Sequence, residues 1–235
     1  MTLNALVVLL LIGLLPAVSV PRPAATPTPL LPALESYLDA REAEFDRISD
    51  DRQAVLQPLA TWIAEARAAG RPIDLVFVCT HNSRRSHMAQ LWAKAAAARE
   101  GIELTTWSGG TEATAFNPRA VAAMSRAGFE ITRTTGNANP IYHVRLGNDL
   151  PTQTCFSKPY SAAPNPTAGI AAVMVCGDAD RRCPIVPGAS ARVAIPFVDP
   201  KVSDGTPEEA ATYDERSAQI AREMLWVMTQ ASRGR

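Results

Sequence analysis

The segment Cys79-Thr80-His81-Asn82-Ser83-Arg84-Arg85-Ser86 carries the residue types most able to do chemistry at a useful spacing. It follows the β-rich run Ile73–Val78 and precedes a helical pattern that begins near Ser86 and runs through Ala98, so it reads as a strand-to-helix loop. Such a loop turns several backbone N–H groups toward one point and adds the positive end of a helix, and together these bind a tetrahedral oxyanion. Arg85, the sixth residue after Cys79, can return a guanidinium that clamps two oxygens of that anion. In the same field Cys79 is expected to be a thiolate, hence a nucleophile for phosphorus or an analogous atom. Ser86 can donate a hydrogen bond to the sulfur and make it a better leaving group, and Asn82 suits a left-handed turn position. The inert alternative is a buried strand-end cysteine beside exposed arginines.

Three further cysteines need separate readings. Cys176 and Cys183 are separated by six residues in a loop after the strand Ala171–Val175. Structural zinc prefers closer pairs and four ligands, so no metal is expected here. A permanent disulfide is open to the pair in an oxidising compartment, and a redox-active pair is open in a reducing one. Cys155 reads as a buried or incidental thiol. Asp199, in Val198-Asp-Pro-Lys201, is by itself no more than an Asx-type turn signal. His87 reads as a first-turn residue contacting water that could add local positive charge, and His143 as structural. Ser108-Gly-Gly-Thr-Glu112 reads as a backbone-tight loop beside the anion site.

The loop resembles that of the low-molecular-weight protein tyrosine phosphatase superfamily, Cys-x-x-Asn-x-Cys-Arg-Ser. Cys79, Asn82, Arg85 and Ser86 match it, and the resemblance runs from about Ile73 to Met228. His81 departs from the family's usual Gly, and Arg84 replaces a second cysteine that can shield the nucleophile as a disulfide. The resemblance implies that Thr80, His81, Asn82, Ser83, Arg84, Arg85 and Ser86 line the oxyanion site, and that Asp199 faces the thiolate as general acid. The Cys176-x6-Cys183-Pro segment is similar to that of the superfamily's thioredoxin-coupled arsenate reductases. That likeness implies a relay in which Cys79 attacks arsenate, Cys176 attacks the Cys79–arsenic adduct, and Cys183 then attacks Cys176, with a thioredoxin-like protein as reductant. The alternative is a phosphatase hydrolysing phosphomonoesters, phosphotyrosine among them, through a phosphocysteine. A third reading is a non-catalytic oxyanion or redox sensor, against which retention of both nucleophile and acid argues. No cofactor is implied.

The elements that must position these groups alternate strand and helix. After Ile73–Val78 come strand Ile102–Trp107 broken by Ser108-Gly-Gly110, a helix opened by Asn117-Pro-Arg and closed at Gly128, and a weak strand Ile141–Leu146. The strong strand Ala171–Val175, a short strand Val193–Phe197 and a long helix Pro207–Thr229 follow. Residues 147–168 read as a long surface excursion. The expected fold is α/β, a three-layer sandwich around a four-stranded parallel sheet, with the thiol loop at the carboxyl end of the first strand, where such sheets bind ligands.

Residues 31–70 form an extension ahead of the domain at 71–235. Leu34, Tyr37, Leu38, Phe45 and Ile48, then Val55, Leu56, Leu59, Trp62 and Ile63, predict two amphipathic helices that cap the domain, ended by Gly70. Before them, residues 1–30 hold the apolar run Ala5–Val20 and a Pro-rich stretch, which reads as a signal peptide or membrane anchor although Met1–Asn4 carries no Lys or Arg. This implies a periplasmic, secreted or membrane-anchored protein, possible membrane attachment being through residues 5–20; the alternative is cytoplasmic, and export sits awkwardly with a thioredoxin partner. The 235 residues are 47% hydrophobic and 20% charged, enough for one such domain with an extension. With 23 basic and 23 acidic side chains the chain lacks the net positive field that non-specific nucleic-acid binding needs.

Overall fold

The computed structural model describes residues 30–134, 138–182 and 185–234. The apolar run at 5–20 and Cys183 lie outside the described residues. Among the described residues no helix is long and apolar enough to cross a membrane.

Four strands form a parallel sheet: β1 (Asp74–Cys79), β2 (Thr105–Gly110), β6 (Ile170–Met174) and β7 (Ala189–Ala194), in the order β2-β1-β6-β7. Leu75 to Cys79 are buried without a break, as a central strand covered on both faces requires. Helices flank the sheet: α3 (Arg85–Arg99) packs on β1 and β2, and α6 (Glu209–Arg233) packs on α3. The short α5 (Gly177–Arg182) lies against β1 and β6, and α4 (Pro118–Arg126) against α6.

Two strand assignments shift. The second strand does not break at Ser108-Gly-Gly110 but ends on those glycines, with Val78 opposite Gly109 and Cys79 opposite Gly110. The last strand covers 189–194 rather than 193–197. The excursion at 147–168 is also more than a surface loop. Its β5 (Gln153–Cys155) pairs antiparallel with β4 (Tyr142–Arg145), which pairs with β3 (Glu130–Arg133). Ser157, Lys158 and Asn165, farther along the same excursion, are buried.

The extension forms α1 (Pro32–Glu42), a 3-10 turn at Phe45–Arg47, and α2 (Asp50–Ala68), which Ser49 caps by accepting the Arg52 N–H. Gly70, at φ +62, ends it. These helices share the domain's core. Tyr37 stacks on Trp92 of α3 at 4.9 Å, and Trp92 donates its indole N–H to Ser217 of α6 at 2.9 Å. Arg99 of α3 meets Asp39 at 2.8 Å and Glu42 at 2.6 Å, and Arg222 of α6 meets Glu44 at 2.9 Å. Leu34, Leu38, Leu56, Leu59 and Ile63 are fully buried. α2 packs on both α6 and β7, which brings the extension to the edge of the sheet that carries the acid segment.

Candidate active site

Cys79 ends β1 and is buried, and six residues later α3 begins at Arg85. Asn82 sits between them with φ 44, the left-handed conformation that its short amide side chain tolerates. Its side chain ties the loop together: Nδ2 donates to Ser86 Oγ at 2.9 Å, and Oδ1 accepts the Lys158 backbone N–H at 2.9 Å. Because Ser86 Oγ accepts that amide proton, its own hydroxyl proton is free for Cys79 Sγ, 3.1 Å away.

The loop carbonyls are held from outside. The Cys79 carbonyl accepts from the Thr111 amide, that of Thr80 from the Glu112 amide and Thr111 Oγ1, that of His81 from Thr114 Oγ1 and Ser157 Oγ, and that of Ser83 from the Asn117 amide. A trans peptide points its N–H opposite to its C=O, so the next amides face away from this scaffold, as an oxyanion cradle requires. Asn117 therefore does more than cap α4, where it accepts the Arg119 N–H. Gly110 forms part of the wall. A Cβ there would lie 2.3 Å from the Glu112 carbonyl oxygen and 2.7 Å from the backbone of both Thr80 and Asn82.

Arg85 is mostly buried and its guanidinium has two acceptors: Nη1 donates to the Phe197 carbonyl at 2.9 Å and Nη2 to Asp199 Oδ2 at 2.7 Å. Asp199 Oδ1 also accepts the Lys201 N–H, capping the 3-10 turn Pro200–Ser203. The Asx-turn and a contact with the anion loop thus coexist in one carboxylate. Arg84 turns away from the loop. Its Nε donates to the Tyr213 hydroxyl at 2.7 Å and its Nη2 to Asp204 Oδ2 at 3.1 Å, while Tyr213 donates to Asp204 Oδ1 at 2.7 Å. Burial, and then the hydrogen bond to Asp204, pushes the Tyr213 phenol up to about 12, so it stays a neutral donor. This triangle fastens the thiol loop to α6 and to the acid segment. His81 is half-exposed, 3.7 Å from Glu112.

His87 differs from the expectation of a water-facing, positively charged residue. It is fully buried, stacked on Phe116 at 4.1 Å, with Nδ1 3.1 Å from Ser108 Oγ. Burial first, and the Lys158 charge second, hold its pKa down at about 3, so it is neutral and structural. Cys155 is also fully buried, and burial pushes its thiol up to about 12.

Cys176 follows β6 and its side chain is buried at the thiol loop: Sγ lies 3.6 Å from Thr80 Oγ1 and accepts the Ala179 N–H at 3.3 Å. Cys79, Cys155 and Cys176 are free thiols. Among the described residues, no group of three or more His, Cys, Asp or Glu side chains could hold a metal ion. Lys158, Phe197, Asp204 and Tyr213 support the site without having announced themselves in the sequence. Their partners lie 76 to 129 residues away, a separation that local spacing does not reveal.

A family model described as low molecular weight phosphotyrosine protein phosphatase matches residues 74–144. An arsenate reductase of Bacillus licheniformis is 34% identical over 144 residues, covering 60% of this chain and 84% of that protein. One of Bacillus subtilis is 32% identical over 142 residues, with 60% and 84% covered. The solution structure of a low molecular weight protein tyrosine phosphatase from Bacillus subtilis superposes with a TM-score of 0.44 at 19% identity, covering 67% of this chain and 96% of that one.

Proposed function

The chain belongs to the low molecular weight phosphotyrosine protein phosphatase family and is a cysteine-dependent enzyme of it, and from that premise we propose that it reduces arsenate to arsenite through Cys79, Cys176 and Cys183. The observation that carries this reading is the second thiol at the first one's loop: Cys176 Sγ is 3.6 Å from the hydroxyl of Thr80, the residue after Cys79. Hydrolysis of a phosphate ester needs no second thiol in its chemical steps, whereas the relay does. The arsenate reductases at 32–34% identity support the same choice.

In this reading the loop amides and Arg85 hold the oxygens of arsenate while the Cys79 thiolate attacks arsenic. Asp199 supplies the proton with which one arsenate oxygen leaves as water, giving a Cys79–arsenic(V) adduct. The Cys176 thiolate then attacks Cys79 Sγ. An S–S bond forms, the S–As bond breaks, and its electron pair stays on arsenic, which departs as arsenite. Cys183 attacks Cys176 and frees Cys79, and a thioredoxin-like dithiol protein reduces the Cys176–Cys183 disulfide. Ser86, donating to Cys79 Sγ, stabilises the sulfur each time it carries negative charge.

The second reading is phosphomonoester hydrolysis, favoured by the trio Cys79, Arg85 and Asp199, which would suffice for attack on phosphorus and protonation of a leaving alcohol. The test is turnover of the purified chain with arsenate, thioredoxin, thioredoxin reductase and NADPH, beside nitrophenyl phosphate. Arsenate-dependent NADPH consumption that Cys79→Ser abolishes is the expected result. No such consumption, with ready hydrolysis of the aryl phosphate, returns the phosphatase.

A further inference from the structure

We propose that Arg52, on α2 of the N-terminal extension, is a positioning residue for the oxyanion clamp and acts through Phe197; the proposal rests on the reading of Arg85 as that clamp. Arg52 is fixed by an ion pair with a buried carboxylate. Its Nε and Nη2 both donate to Glu223 Oε2, at 2.9 and 2.6 Å, and the other Glu223 oxygen accepts from Gln219 at 2.9 Å. The Glu223 side chain is only 3% exposed, so this carboxylate has little water to turn to if its partner leaves.

Held in this way, the Arg52 guanidinium carbon lies 4.9 Å from the centroid of the Phe197 ring. That is cation–π distance, in a setting from which water is largely excluded. Phe197 joins three parts of the site. Its N–H donates to the Val175 carbonyl at 3.1 Å, one residue before Cys176, and its carbonyl accepts Arg85 Nη1 at 2.9 Å. Two residues on, Asp199 accepts Arg85 Nη2. The residues on either side of Phe197, Pro196 and Val198, are both exposed, whereas Phe197 itself is buried. Its ring is therefore the inward anchor of the segment that supplies both Arg85 acceptors, and Arg52 covers that anchor. Loosening it lets the Phe197 carbonyl and Asp199 shift together, and the Arg85 fork loses its fixed direction toward the loop.

A simple staple between extension and domain would also explain the Arg52–Glu223 pair, so the experiment needs a readout that a staple does not move. That readout is binding of inorganic phosphate to the full chain by calorimetry, with urea unfolding measured in parallel. Arg52→Met and Phe197→Leu are each expected to weaken phosphate about tenfold, as small displacements of a positioned group do. The double variant should bind no more weakly than either single one, because the two residues act in series. Arg52→Lys, which keeps a cation near the ring, should recover part of the loss. Arg222→Met removes the other extension–α6 ion pair, to Glu44. It should lower stability and bind phosphate as the wild type does.

Wild-type phosphate affinity in folded Arg52→Met or in Phe197→Leu overturns the proposal, as does an equal loss in Arg222→Met. If Arg52→Met does not fold, Phe197→Leu and Arg52→Lys decide alone. Arg85→Ala separates the two levels: unchanged phosphate binding in that variant removes the clamp reading itself, whatever Arg52 does.

Discussion

Arg85 and Asp199 meet across 114 residues of sequence, Nη2 to Oδ2 at 2.7 Å, with most of both side chains withdrawn from water. The cation read as the oxyanion clamp and the carboxylate read as the acid therefore contact each other directly. An oxyanion entering the loop draws on the same guanidinium and meets the Asp199 charge beside it. In the proposed mechanism this carboxylate takes up the proton it donates only once the oxyanion has displaced it from Arg85, so until that step its charge opposes anion binding.

Replacing Asp199 with Asn should separate those two effects. Loss of the acid is expected to lower turnover by about 10²- to 10⁴-fold. Loss of the competing negative charge should tighten phosphate binding by about tenfold, since a like charge beside an anion site disfavours the anion. In the phosphatase reading, alkyl phosphates should lose more than nitrophenyl phosphate, because only a poor leaving group needs the proton. Steady-state kinetics with phosphate as competitive inhibitor reads all three. Weaker phosphate binding in Asp199→Asn would show that the carboxylate orients Arg85 more than it repels the substrate.

His87 makes stability depend on pH in a definite direction. The unfolded residue titrates near its ordinary value of 6.5 and the folded one only near 3. Between those values the unfolded chain binds the extra proton, so acid favours unfolding. This contribution is complete above about pH 7 and falls by up to about 1.4 kcal/mol per pH unit below 6.5. His87→Gln should be less stable at pH 7, having lost the stack on Phe116, yet show a flatter decline between pH 6.5 and 4.5. Urea midpoints across that range measure it, and an unchanged slope would assign the acid sensitivity to other groups.

Gly110→Ala tests the wall of the loop. Its new Cβ would press on the backbone of Thr80, Asn82 and Glu112, all within 2.7 Å, and backbone cannot rotate aside as a side chain can. A loss of about 2–3 kcal/mol is expected. Phosphate binding should fall with it even at temperatures where the variant remains folded. Gly101→Ala, whose Cβ would meet nothing within 4 Å, tests the positive φ of +64 alone and should leave phosphate binding intact.

The parts of this site legible in the sequence are those written over a few consecutive residues. The β-rich run of β1, the Asn at the left-handed turn and the Asn-Pro opening of α4 are local signals with local causes. Gly109 and Gly110 misled because glycine ordinarily weakens strands. Here a side chain at either position would collide, with Tyr160 at Gly109 and with the thiol loop at Gly110. Of the small sheet only β4 shows in the sequence, as the weak strand at 141–146; β3 and β5 are four and three residues long and largely polar, so the two-residue period has no room to show in them. His87 misled for another reason: burial on α3 comes from packing against Phe116 and Ser108, residues brought in by the fold. The Arg84–Tyr213–Asp204 triangle and the Arg52–Phe197 contact join distant segments and leave no trace in local spacing.

Cys176 is the residue on which the two proposed readings differ. Its sulfur is buried and accepts the Ala179 N–H, next to Thr80 of the nucleophile's loop. Cys176→Ser should stop multiple-turnover arsenite formation, because the thiol placed at the Cys79 loop to attack Cys79 and release arsenic is gone. Aryl phosphate hydrolysis draws only on Cys79, Arg85 and Asp199, so in the phosphatase reading it persists in this variant. Cys183→Ser should permit the first exchange and then stall, trapped with Cys79 bonded to Cys176. After one arsenate turnover, mass spectrometry of the alkylated protein should find a 176–183 disulfide in the wild type and a 79–176 disulfide in Cys183→Ser. Exchange needs the attacking sulfur in line with the bond it breaks, so in the relay reading Cys176 must reach Cys79, and Cys183 must then reach Cys176. A 176–183 bond already complete before arsenate is added, and resistant to thioredoxin, would end the relay and leave Cys79 working alone on phosphate esters.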